Sequence, residues 1–391
     1  MALGAERRLL ERKLSEHAPS ADRDLKLENG SRVAVVGGGP AGSFFSYFLL
    51  EMAQMLDLNV QVDVYEPRDY TRSGPASCNT CGGIISESLV QILATEGINL
   101  PDSVVQRGLD SYVLHTAGSR EVPIDTPGNE KRIAAVHRGA GPRGIEKVRW
   151  RSFDGYLQEL TIAKGANVIK KRVDGVAWEG GLPQVETRGA GSQTYDLLVV
   201  AAGINTGLLK AFDGLGLDYR PPETSRTYIG EFYLGQDLVE QHLGNSMHVF
   251  LLDIPRVKFS ALIPKGDYVT LCLLGQDIDA QLVREFMETP EVSRCFPSGW
   301  GLPEDFCHCS PRISTSAAVQ PFADRLVFIG DCGVTRLYKD GIGAAYRTGK
   351  AAAVTVALAG ISSEDFRRRY WPICRTMEND NKIGKLILDF T

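Results

Sequence analysis

The run Arg32-Val33-Ala34-Val35-Val36 passes without a break into Gly37-Gly38-Gly39-Pro40-Ala41-Gly42, and this junction limits the fold more tightly than anything else in the chain. A short β-branched run suits a buried parallel strand. Gly37, Gly39 and Gly42 have the G-x-G-x-x-G spacing. The first glycine permits a tight turn, the second lets backbone approach a pyrophosphate, and the third lets the next helix pack closely on the strand. That helix is expected from Ala41 to about Leu56, with Phe44, Phe45, Phe48, Leu49, Met52 and Met55 on a broad apolar face. Its free N–H groups and dipole favour phosphate. A second alternating strand, Val60 to Tyr65, ends at Glu66, 24 residues past Gly42. A carboxylate there suits both ribose hydroxyls of an adenosine and repels a 2′-phosphate. Gly37, Gly38, Gly39, Pro40, Ala41, Gly42 and Glu66 are therefore candidate dinucleotide-binding residues.

Two later stretches select FAD over NAD. Tyr195 to Ala202 is an apolar strand closing in Gly203, and Arg325 to Ile329 is another that delivers Gly330-Asp331. In FAD proteins of this layout the aspartate accepts a hydrogen bond from the ribityl chain, and the glycine before it gives clearance. A helix rich in small residues follows, beginning Gly341-Ile342-Gly343. Its positive end suits the electron-rich pyrimidine edge of a flavin. A plain NAD dehydrogenase needs neither element.

With these residues in place, the chain resembles the FAD oxidoreductases of the p-hydroxybenzoate hydroxylase fold, and within them the geranylgeranyl reductase family. Four segments carry the likeness: Ser77 to Ser86 with its Cys81-Gly82-Gly83 loop, Trp150 to Leu157 with Phe153-Asp154, Ile263 to Asp267, and Gly330-Asp331 followed by Asp340-Gly341-Ile342. The resemblance implies that Gly82, Gly83 and an arginine before Phe153, either Arg149 or Arg151, border the FAD. It implies an α/β (α+β mixed) fold, a Rossmann-like FAD-binding domain of the p-hydroxybenzoate hydroxylase/glutathione reductase type with an inserted antiparallel-sheet substrate domain. It also implies reduction of carbon–carbon double bonds in an apolar, isoprenoid-like substrate held in a dry apolar tunnel. Departures bear on the chemistry. Flavin hydroxylases carry Asp-Gly where Ala202-Gly203 stands, and Phe259 to Pro264 lacks the tryptophan of the halogenase motif. The loop Arg336 to Asp340 lacks the usual proline and places Tyr338 where substrate or donor would meet the flavin.

The expected organisation is discontinuous. Residues 1–30 form a helical extension, with Leu9, Leu10 and Leu14 at helical spacing. Residues 31–110, 145–215 and 320–358 form the FAD-binding domain, 111–144 and 216–319 the substrate domain, and 359–391 a C-terminal helical segment with Phe366, Tyr370 and Ile373 on one face. The Gly/Pro/Arg-rich stretch Arg138 to Arg143 reads as a mobile surface loop. A hydrophobic fraction of 43% over 391 residues is ample for a sizeable core. The net charge of −5 gives no support for nucleic-acid binding. No apolar run approaches the roughly 20 residues of a membrane-spanning helix, and the charged first 20 residues do not read as a signal peptide. A cytoplasmic location is expected, and peripheral membrane contact is compatible with it. The stop at Thr391 without a cap leaves room for a longer natural chain.

Among eight cysteines, Cys78-x-x-Cys81 can be read as a redox pair and, with Cys307-x-Cys309, as a four-thiolate metal site. The reading preferred here is no metal, with Cys81 on a flavin-side loop where its thiol orients substrate or donates a proton. The six histidines show no ligand spacing. Cys81 and Tyr338 are the candidate catalytic residues. With no second G-x-G-x-x-G, the electron donor is NAD(P)H bound transiently or a protein redox partner. A flavin monooxygenase and a non-catalytic or electron-relay flavoprotein subunit are the competing readings.

Overall fold

The computed structural model describes residues 25–390 except 75, 76, 79, 80, 119, 146–149, 190, 338 and 339. The helix expected at Glu6 to His17, together with Arg149 and Tyr338, lies outside the described residues.

The glycine-loop strand sits at the centre of a six-stranded sheet ordered Phe322–Ala323, Leu326–Phe328, Leu197–Val200, Arg32–Val36, Gln61–Tyr65, Asn167–Ile169. All neighbours are parallel except the short Phe322–Ala323 edge. Val33, Ala34, Val35 and Leu197 to Val200 are fully buried, which is why these strands are continuous apolar runs rather than alternating ones. One face carries the helix Pro40–Met55, packed against the late helix Gly341–Leu358. The small residues of the late helix make that contact close: a Cβ on Gly349 would meet Ala41 O at 2.8 Å and Phe45 N at 3.0 Å. The other face is covered by a three-stranded antiparallel meander, Val173–Glu179, Leu182–Thr187 and Gly191–Thr194, and by the turn Leu208–Phe212.

A second, seven-stranded sheet is ordered Cys307–Cys309, Tyr228–Tyr233, Tyr268–Gly275, Val257–Lys265, Ser246–Leu251, Ser111–Thr116, Arg120–Asp125. It is antiparallel except that Ser246–Leu251 runs parallel to Ser111–Thr116. Side chains alternate across it with period two. Tyr228, Phe232, Leu262, Leu271 and Leu273 face the helix Ala280–Glu288 and its core with Phe286. Ile229, Ala261, Ile263 and Cys272 face the other way, against Leu109, Ile133 and Ala135. The strand Ile133–Val136, within the 111–144 stretch assigned to the antiparallel-sheet substrate domain, instead joins Ile84–Ile85 and Val105–Leu109 in a separate three-stranded sheet between the two large ones. All four of its residues are buried, and buried on both faces it cannot serve as an edge.

At the C-terminal end Phe366–Tyr370 winds as a π-helix into Trp371–Phe390. Phe366, Tyr370, Cys374 and Met377 are buried, whereas Ile373 is 43% exposed. The wide turn repeats the inward face at four-residue steps, so Cys374 takes the place expected for Ile373. No helix among the described residues is long and apolar enough to cross a membrane.

Candidate functional site

The glycine loop has the geometry its spacing demands. Gly37 has φ +110°, and a Cβ there would stand 2.3 Å from Ala201 O. On Gly42 a Cβ would meet Gly37 O at 1.9 Å. Gly39 differs, because its nearest neighbour would be the Arg138 guanidinium at 3.5 Å, so a glycine here leaves room for a group that approaches from outside. The helix Pro40–Met55 begins at Gly39 with no side-chain cap, which leaves first-turn N–H groups available to an anion. Glu66 stands beside the loop, buried, and accepts from Gly38 N (3.0 Å), Arg68 N (2.9 Å) and Tyr70 OH (3.1 Å). A carboxylate has about four acceptor sites, so roughly one remains for a ribose hydroxyl.

Arg138 supplies the cation at this loop. Asp154, itself fully buried, grips it through Nε (2.9 Å) and Nη2 (2.8 Å). Burial works against the guanidinium charge, yet the paired Asp154 more than offsets it and holds the proton more firmly than in water. Gly139 to Pro142 are buried as well, so this stretch is not the mobile surface loop its composition suggested. The helix Phe153–Ala163, capped by Ser152 through Gly155 N (3.0 Å), turns Asp154 inward and fixes it. Arg151 points outward instead, paired with Glu159 and lying over the Tyr156 ring.

On the other side of the loop, Gly330 has φ +64° and would touch Ala41 Cβ at 2.8 Å if it carried a Cβ. The Gly330-Asp331 turn therefore packs directly on the start of the loop helix. Asp331 is half-buried by surface, but desolvation raises its carboxyl pKa, a rise that a Thr335 hydrogen bond and the Arg138 charge partly offset. Gly203, with φ +70°, faces open space. Of the Gly341-Ile342-Gly343 turn, Ile342 is buried in the core, and Gly343 N donates to Asp340 Oδ1 (2.7 Å), which caps the late helix. Asp340 thus takes one of the N–H groups expected to face a flavin.

The Cys81-Gly82-Gly83 loop lies against the inner face of the seven-stranded sheet. A Cβ on Gly82 would stand 2.9 Å from Cys272 Sγ, and one on Gly83, at φ +71°, 2.0 Å from Val136 O and 3.0 Å from Lys265 Nζ. Cys81 is half-buried, and its sulfur accepts from Gly83 N at 3.4 Å. Behind the loop the expected apolar wall is charged. Strand alternation carries Glu231, Lys265 and Thr270 onto the face that also bears Ile229, Ile263 and Cys272. Glu231 Oε1 accepts from Lys265 Nζ (3.0 Å) and Thr270 Oγ1 (2.9 Å), and His137 Nδ1 lies 3.3 Å away. The Lys265 side chain is 1% exposed and that of His137 3%. Burial pushes the Glu231 carboxyl up, but Lys265 and then His137 outweigh it and hold it well below the usual carboxylate range. Burial likewise lowers His137, with partial compensation from Glu231, so the ring is neutral at pH 7. With Nδ1–H directed at Glu231, Nε2 of His137 has no partner among the described residues, nor has Nε1 of Trp150, whose indole stacks on the His137 ring at 5.3 Å. A buried unsatisfied group costs about 1–3 kcal/mol, so these two atoms have hydrogen-bonding capacity to spare for a bound molecule. Cys78, Cys81, Arg138, Glu231 and Lys265 line the same small cavity.

Sequence spacing missed one further cluster. His115 Nε2 and His248 Nδ1 lie 2.8 Å apart, with Cys295 Sγ 3.7 Å from the latter, all buried. Among the described residues no three of the cysteines 78, 81, 307 and 309 draw their sulfur atoms as close as this trio does.

FAD fits the residues present. The uncapped helix start and the gap over Gly39 suit a pyrophosphate, Arg138 supplies a half-buried positive charge, and Glu66 keeps an acceptor for a ribose. No protein-family model matches the chain. The chloroplastic geranylgeranyl diphosphate reductase of Arabidopsis thaliana is 26% identical over 262 residues, covering 60% of this chain and 50% of that protein. The chain spans about half the length of this curated relative. The flavin-dependent halogenase CmlS superposes with a TM-score of 0.62 at 18% identity, over 90% of this chain and 63% of that one. The flavin-dependent brominase Bmp2 gives 0.61 at 15% over 92% and 85%, and CtdE in complex with FAD gives 0.60 at 13% over 91% and 93%. The chain thus has the mixed α/β fold of the FAD-binding flavoproteins, and its sequence resembles that of a geranylgeranyl reductase.

Proposed function

We propose that the chain is an FAD-dependent oxidoreductase that reduces a carbon–carbon double bond of a largely apolar, isoprenoid-like molecule. The observation that carries the cofactor is the uncapped Gly39–Pro40 helix start between Glu66 and the half-buried Arg138. Gly37, Gly38, Gly39, Pro40, Ala41 and Gly42 would hold the pyrophosphate, Glu66 the adenosine ribose, and Gly330-Asp331 the ribityl end. Bound and reduced, FAD supplies a hydride. The chain's own residues do the rest: Arg138 compensates phosphate charge, and the Cys81-Gly82-Gly83 loop borders the reacting end. Glu231, Lys265 and His137 form a proton-bearing cluster behind that loop. The likeness to a geranylgeranyl diphosphate reductase supports alkene reduction over oxygenation, and so does Ala202 at the position where flavin hydroxylases carry aspartate.

The test begins with the visible spectrum of the purified protein and its FAD content after denaturation. A chain without flavin bands, even after FAD addition, loses the proposal from the cofactor upward. Anaerobic reduction by NADH, NADPH and reduced ferredoxin then identifies the donor class. Reduction of a carbon–carbon double bond in an apolar, isoprenoid-like molecule is the expected result, whereas ligand-dependent oxygen consumption without alkene reduction reassigns the chain to oxygenation.

A further inference from the structure

Lys265 holds the most chemistry left unused by the contacts around it. An ammonium has three donors. Among the described residues one goes to Glu231 Oε1, and no acceptor receives the other two, in a side chain only 1% exposed. The nitrogen lies where it would sit 3.0 Å from a Cβ on Gly83, so it reaches to the backbone of the cofactor-side loop. His137 beside it has an Nε2 without a partner among the described residues and borders the same cavity. Two buried groups from different elements, the strand Val257–Lys265 and the residue after the strand Ile133–Val136, therefore converge with unsatisfied valences on one space.

We infer that Lys265 and His137 form an oxygen-binding subsite, and that the substrate's double bond is conjugated to a carbonyl or carboxyl group rather than isolated in a prenyl chain. This rests on the proposed alkene reduction for the reaction and on Lys265 alone for the oxygen. An isolated alkene offers no lone pair, so seating it here would leave both ammonium donors and Nε2 unsatisfied. A carbonyl or carboxylate oxygen accepts the two Lys265 N–H groups, and a hydroxyl elsewhere on the substrate, where present, can donate to His137 Nε2. Glu231 already balances the Lys265 charge 3.0 Å away, which suits a neutral carbonyl or a single carboxyl group and repels a diphosphate. A carbonyl held by an ammonium in a water-poor site draws electron density from the conjugated double bond and leaves its far carbon electron-poor. Lys265 is thus placed to decide which alkenes are activated.

The experiment uses the full chain loaded with FAD, with trans-2-dodecenoate, the matching enone and geranylgeranyl diphosphate as probes. Binding is read from perturbation of the flavin absorbance bands and from thermal shift, the latter also without FAD. The expected result is that enoate and enone bind the wild type, and that Lys265→Met weakens both at least tenfold with FAD content unchanged. Because Lys265→Met strands Glu231, the double variant Lys265→Met/Glu231→Gln, which removes both charges together, must show the same loss. Equal binding of the enoate by wild type and double variant overturns the inference, as does selective binding of geranylgeranyl diphosphate by the wild type. A loss of FAD in the double variant also overturns it, since Lys265 then serves the cofactor. If the wild type takes up no FAD, the flavin reading falls, while Lys265-dependent binding of the enoate still decides the subsite.

Discussion

At the Gly37–Gly42 loop the site is made of backbone, and what matters is the atoms that are missing. At the Cys81–Gly83 loop it is made of side chains, Glu231, Lys265 and His137, brought from three separated stretches. On the proposed reading, the first end would recognise charge through N–H groups that any residue could supply, provided nothing bulkier than hydrogen intrudes. The second would recognise through individual donors whose identity cannot be exchanged. A cradle of the first kind serves one cofactor across many reactions, whereas a cluster of the second kind belongs to one substrate class.

Breaking the charged cluster on one side only is expected to have the largest effect on stability. Lys265→Met leaves Glu231 ionised and buried, at about 3–5 kcal/mol, and urea unfolding should show the double variant with Glu231→Gln recovering most of that loss. Gly37→Ala sharpens the backbone side: at φ +110° and 2.3 Å from Ala201 O, it should cost at least about 3 kcal/mol. Gly39→Ala is its counterpart. With 3.5 Å of clearance it should leave the melting temperature of the FAD-free protein within ~1 °C of the wild type, yet lower FAD affinity at least a hundredfold in a fluorescence titration.

Acid should separate the regions further. Burial lowers His115, His137 and His248, the last to about 4. Below the unfolded value near 6.5 the unfolded chain takes up protons that the folded chain refuses, so stability falls as pH falls. His248 contributes roughly 1.4 kcal/mol per pH unit until about pH 4. His248→Gln should flatten that slope in a series of thermal melts between pH 4.5 and 6.5. The smallest effect belongs to Arg151→Ala, since its outward pair with Glu159 is worth under about 1 kcal/mol and FAD content should not change.

The sequence made the backbone end legible and the side-chain end nearly illegible, for a physical reason. Glycines that permit a turn or a close approach act at fixed chain spacing, so Gly37, Gly39, Gly42 and Gly330 could be picked out by position alone. Arg138 was misread because Gly/Pro/Arg composition describes exposed loops equally well. What holds it inward is Asp154, 16 residues on, itself fixed by the Ser152 cap. Glu231 and Lys265 meet only through the register that pairs Glu231 with Thr270, and Lys265 with Tyr268, across neighbouring strands. A signal was present in that alternation, since a lysine and a glutamate fall on the apolar inward face of otherwise hydrophobic strands. The His115–His248–Cys295 trio depends on a parallel pairing of strands 135 residues apart, as between Ser111 and Ser246, which no local pattern announces.

The central sheet also sets a timetable for synthesis. Leu326–Phe328, which delivers Gly330-Asp331, pairs beside Leu197–Val200, yet it emerges about 290 residues after Val36 (36 to 326). At ribosomal rates of roughly 5–20 residues per second, that interval is about 15–60 s. For the last 126 residues of it (200 to 326), about 6–25 s, Leu197–Val200 presents an apolar strand with one row of hydrogen-bonding groups open, a template for pairing with other chains. The half-made protein therefore depends on whatever shields that edge until its own last strand arrives.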